Sequence, residues 1–111
     1  MTLVIPSKPD KVDVKKDGTV VVTWYKSPSV HGETIFEVTV TKDGSMFVRG
    51  LGGSEHALQE AYADLIAKLI RRGLSPEEAV EEAYERIRPL IEKARAGEVI
   101  TMLDIERARE A

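Results

Sequence analysis

Two histidines are the side chains in this 111-residue sequence best suited to acid–base or metal chemistry. His31 sits in a polar stretch with Ser27, Ser29 and Glu33. A hydroxyl, an imidazole and a carboxylate are the parts of a nucleophilic triad, in which the imidazole takes the hydroxyl proton and the carboxylate orients the ring. No Gly-x-Ser-x-Gly elbow accompanies them, and the same residue types are ordinary turn composition. His56 and Glu60 are spaced i, i+4, which puts both on one helix face where they could ligate a divalent ion. No third ligand stands at motif spacing, so the pair reads better as a solvated histidine near a helix start beside a glutamate.

Other features offer binding rather than catalysis. Gly50-Leu51-Gly52-Gly53-Ser54 leads from a strand into a helix, where backbone N–H groups can cradle a phosphate. The Lys-Ser/Thr of a P-loop is absent and Glu55 would repel an anion, so this is read as a flexible joint. Glu77, Glu78, Glu81, Glu82 and Glu85 form an acidic helix face with like-charge i, i+4 pairs, relieved by Arg86 and Arg88. The face is read as solvated; its functional alternative is a patch for a basic partner, with Glu77 and Glu81 as contacts. Val21, Tyr25 and Ile35 fall on the strand face opposite the main apolar stripe. They either pack across strands under the N-terminal segment or the last helix, or mark a contact surface.

The elements that must position these residues follow from hydrophobic period. Val12/Val14, Val20/Val22/Trp24 and Phe36/Val38/Val40 alternate with Asp13/Lys15, Val21/Thr23/Tyr25 and Ile35/Glu37/Thr39/Thr41, the period of strands with one wet face. Lys16-Asp17-Gly18 and Lys42-Asp43-Gly44 supply tight hairpin turns. Residues 27–32 form a longer, less regular connection. A last strand runs from Met46 to about Leu51, and residues 2–5 could add a short edge strand limited by Pro6. From Ser54, the expected N-cap, the period becomes helical: Leu58, Ala61, Tyr62, Leu65, Ile66, Leu69 and Ile70 make one stripe, closed by Gly73. Ser75-Pro76-Glu77-Glu78 is a capping box with proline at the first helical position. The second helix turns Val80, Ala83, Tyr84, Ile87, Leu90, Ile91 and Ala94 inward, with a kink or restart expected at Pro89, and ends at Gly97. Thr101 to Asp104 caps a short third helix over about 102–110, with Ile100 and Ile105 as a hydrophobic staple.

Composition bounds the function. The chain has no cysteine, so disulfides, thiolate metal sites and thiol nucleophiles are excluded. Charged residues make up 32% of the sequence and the net charge is −3. Neither half carries the basic patch that nucleic acid requires. No apolar run is long enough to span a membrane, and Met1–Pro6 lacks the regions of a signal peptide. A cytoplasmic location is expected, without cofactor or resident metal.

The chain's tidy local chemistry resembles that of computationally designed proteins. The resemblance rests on Ser75 through Tyr84 (cap, proline, acidic first turn, Ala/Glu-rich face), the paired Lys-Asp-Gly turns and the strong propensity of each segment. Pro89 and the 27–32 loop depart from idealised backbones. A faint echo of fibronectin type III strands over Pro9–Val40 is contradicted by the helical second half. The reading is an α+β fold in one domain, residues 1–111: a four-stranded antiparallel meander over 1–53, then a helical layer over 54–111 packed on one sheet face. The resemblance implies a non-enzymatic scaffold or protein-binding domain, acting on a protein partner or as a homo-oligomer. The alternative is a small inhibitor or adaptor of phage or antitoxin type using the acidic helix or the open sheet face; an enzyme using the His31 loop ranks third.

Overall fold

The computed structural model describes residues 3–25, 35–50 and 53–110. The His31 loop, with Ser27, Ser29 and Glu33, lies outside the described residues, as do Leu51 and Gly52. Four strands, β1 (Lys11–Val14), β2 (Val20–Tyr25), β3 (Ile35–Val40) and β4 (Met46–Arg49), form one antiparallel sheet in sequence order. Both Lys-Asp-Gly turns close as the sequence requires. Lys15 N–H donates to Thr19 O at 2.8 Å and Thr41 N–H to Ser45 O at 2.9 Å. Gly18 and Gly44 take φ of 92° and 94°, a region closed to most side chains. Asp43 accepts from the Thr41 hydroxyl and from Ser45 N–H, and these bonds hold its carboxyl down at about 2.

Register assigns the two faces. Val14, Val20, Val40 and Met46 form one cross-strand row, and Val12, Val22, Val38 and Val48 the next. The middle of each row is fully buried under the helices. The edges are not: Val14, expected in the core, is 42% exposed and Val48 39%. Both stand on edge strands, beyond the part of the sheet that the helical layer covers. β4 also stops at Arg49 rather than Leu51, because Gly50 leaves strand geometry with φ 101°.

Among the described residues, 3–9 add no strand. Instead Val4 N–H donates to Glu55 O at 2.8 Å, tying residue 4 to the start of the helical layer. Further along, Trp24 is buried as expected, and its indole N–H reaches Ser7 O at 2.8 Å. That bond satisfies the one polar atom the ring takes into the core.

The first α-helix takes its N-cap two residues later than the expected Ser54. Ser54–His56 is a 3₁₀ turn, and α1 runs Ala57–Arg71 without a side-chain cap at its N-cap, His56. α1 is buried on nearly every side, including Ala63, Asp64 and Ala67 off the predicted stripe. It is the central helix: the sheet, α2 (Pro76–Arg95) and α3 (Met102–Arg109) all pack against it. Its C-terminus closes in a Schellman motif, with Leu74 N–H on Leu69 O and Gly73 N–H on Ile70 O. α2 ends the same way at Gly97. The capping boxes of α2 (Ser75 with Glu78) and α3 (Thr101 with Asp104) both form. α2 runs through Pro89 without a restart. Pro89 lies on the exposed face, where water can serve the carbonyl left without its helical donor.

Candidate functional site

The helices leave one sheet face open, and the expected contact residues are on it. Tyr25 stands opposite Ile35, and Val21 opposite Thr39. Tyr25 is 54% exposed, while Val21 and Ile35 are half-buried. The last helix does not cover this face, since α3 packs on α1 and α2. Phe47, 62% exposed, completes a row Asp13–Val21–Thr39–Phe47, and Lys11–Thr23–Glu37–Arg49 makes the next. Sequence reading passed over Phe47. The signal was available: Phe47 alternates with Met46 and Val48, so period two puts it on the same face as Val21.

The face is therefore an apolar diagonal set in charge. Between Lys11, Val21, Tyr25 and Glu37 lies a shallow depression of about 300 Å³, floored by Thr23 at 6% exposure. Tyr25 is held from behind by its own N–H, which donates to Asp10 Oδ2 at 2.7 Å. At the edge Asp13 pairs with Lys15 at 2.7 Å, and that hydrogen bond and charge keep the Asp13 carboxyl below its usual value. The strands thus present two aromatics, two aliphatics and mixed charges around this depression, the mixture that a contact surface uses.

The acidic helix is largely neutralised. Glu81 pairs with Lys8 at 2.6 Å, Glu82 with Arg86 at 3.3 Å and Glu85 with Arg88 at 2.5 Å. Glu78 is engaged by Ser75 in the capping box. Glu77 is exposed at the N-terminal turn, where a carboxylate complements the helix dipole. Lys8 and Arg88 also lie 5.4 Å and 5.8 Å from the Tyr84 ring centroid.

His56 is not the solvated residue the spacing implied. It is 3% exposed and stacked on Phe36, with ring centroids 5.0 Å apart. Late helix initiation turns it into the core between sheet and α1. Glu60 is half-buried, which raises its carboxyl pKa against the opposing pull of Arg109 and His56. No group of three or more metal-ligating side chains gathers among the described residues. Composition also hid a buried polar lock: Asp64 meets Lys68 at 3.1 Å and Arg109 at 3.3 Å, fastening α3 to α1. Gln59 is buried as well. A second concavity, about 450 Å³, lies between Leu3, the 3₁₀ turn and residues 97–105, rimmed by exposed Val99 and Met102. No helix among the described residues is long and apolar enough to cross a membrane.

These features define a two-layer α+β protein with one sheet face left uncovered among the described residues. Compared with known proteins, the chain matches no family model, no curated protein and no solved structure.

Proposed function

We propose that this is a non-enzymatic protein-binding domain of designed or redesigned origin, acting through its open sheet face. The observation that carries the reading is Tyr25 and Phe47 standing exposed on rigid strands beside Val21 and Ile35, away from the helical layer. Aromatic anchors on a fixed backbone lose little conformational entropy when a partner covers them, and such residues dominate interface energetics. The acidic helix is a poorer contact surface because three of its five acidic-face carboxylates, Glu81, Glu82 and Glu85, already have internal cations.

Binders selected without bias from a display library against the intact chain provide the test. Tyr25→Ala or Phe47→Ala is expected to weaken them by about tenfold or more, and Glu81→Lys to leave them unchanged. The opposite pattern would move the contact surface to α2 and overturn the reading. Designed origin is supported by two complete capping boxes, two Schellman closures and duplicated hairpin turns. The corresponding expectation is a thermal midpoint above about 90 °C, and a midpoint in the ordinary mesophile range, roughly 45–65 °C, would count against it.

A further inference from the structure

The two edges of the sheet differ in a way that the open face does not explain. β1 carries Lys11 and Asp13, follows Pro9 and is flanked by Lys15 and Lys16, the charged, proline-bounded pattern that keeps an edge from pairing. β4 reads Met46-Phe47-Val48-Arg49, with no proline and no charge before its last residue. It is apolar and exposed on both faces: Phe47 on the open side, Val48 on the helical side.

Its backbone is open as well. Thr41 N–H bonds Ser45 O, and antiparallel ladders alternate, so the N–H and C=O groups of Phe47 and Arg49 turn toward β3. Those of Met46 and Val48 turn outward, and among the described residues no strand lies beyond β4.

We propose that β4 is a self-association edge, at which two copies of the chain join β4 to β4 antiparallel into one eight-stranded sheet. A two-fold axis perpendicular to the sheet keeps each copy's faces aligned and pairs residues of like parity. Centred on Val48, it sets Val48 against Val48 of the second copy on the helical side. On the open side it sets each Phe47 against Arg49 of the second copy. Each Arg49 then lies between Glu37, its neighbour on β3, and an aromatic ring, a carboxylate on one side and a cation–π contact on the other. The strand is thus complementary to itself in backbone, charge and apolar surface, which is what a two-fold interface demands.

The junction is short. It buries less than the roughly 1,200 Å² of a stable interface, so the dimer is reversible, with a Kd on the order of 0.1–1 mM. This goes beyond the binding face, with which it shares Phe47; Val48 points to the opposite side from Tyr25, so Val48→Lys and Tyr25→Ala separate the two.

The experiment is sedimentation equilibrium on the full chain from about 20 µM to 2 mM, with amide exchange followed by NMR over the same range. The mass is expected to rise toward two copies. The amide of Val48, which faces Val48 of the second copy, should gain protection with concentration while those of Phe47 and Arg49, already bonded to β3, do not change. Val48→Lys should weaken association by about tenfold or more with melting of the monomer unchanged, and Arg49→Glu should weaken it by as much while also lowering monomer stability slightly, because it faces Glu37. A chain that stays monomeric at the highest concentration overturns the proposal. So does a dimer indifferent to both substitutions in which the Val48 amide gains nothing.

Discussion

Replacing Tyr62 by alanine is expected to lower folding stability by about 3–5 kcal/mol, the range for deleting a buried aromatic ring. Tyr62 is fully buried on the central helix and touches all three parts of the core. Its ring lies 6.3 Å from Trp24 of the sheet and 6.0 Å from Tyr84 of α2. Its hydroxyl donates to Val80 O at 3.1 Å. Chemical denaturation should show the midpoint falling with the slope preserved, as expected of a cavity rather than a changed unfolded state. Tyr62→Phe keeps the ring and should cost only about 1 kcal/mol, because the carbonyl it releases belongs to a helix and has a second acceptor role.

The phenylalanine variant also isolates a pH effect. Burial, then the nearby Glu81 carboxylate, raises the Tyr62 phenol above its ordinary 10.0. Unfolding therefore lets the phenol ionise more readily. Its contribution is intact below about pH 10 and is lost as pH climbs from there toward the folded value. Stability of the parent chain should decline across that alkaline window more steeply than that of Tyr62→Phe. Parallel slopes would show that the phenol is not desolvated.

Gly50→Ala is expected to be at least as disruptive locally. An added Cβ would sit 1.9 Å from Ile35 O and 3.0 Å from Ile35 C, backbone atoms that cannot move without breaking the β2–β3 register. The φ of 101° adds strain of about 1–3 kcal/mol for an L-residue. Together these should cost roughly 3 kcal/mol or more and strip protection from β4 amides first. Gly53→Ala is the control: its φ of 120° carries similar strain, but nothing lies within 4 Å of the added carbon. Equal losses in the two variants would mean that backbone overlap at Gly50 is unimportant.

Much of this fold was legible because its information is local. A hairpin turn needs a positive φ, and glycine after aspartate declares one. A helix start needs acceptors for its free N–H groups, and Ser75 with Glu78 and Thr101 with Asp104 provide them. Alternation in Val20–Trp24 and Phe36–Val40 decided which side chains share a face, and register confirmed it. The expected contact residues Val21, Tyr25 and Ile35 follow from the same period, so the open face was visible as a stripe before it was visible as a surface.

What the residues could not declare is what covers what. Ala63, Asp64 and Ala67 are buried because α3 closes over a side of α1 that its own period leaves outside the stripe. His56 is a core residue because the helix begins after a 3₁₀ turn, which swings the imidazole onto Phe36. Val14 reads as core by alternation, yet it lies, like Val48, where the helical layer ends. Sequence alone determined the elements, their caps and their faces, since each depends on neighbours a few positions away. Only the tertiary structure decided which face stays open and which edge stays bare, because burial is set by elements distant in the chain competing for the same apolar surface.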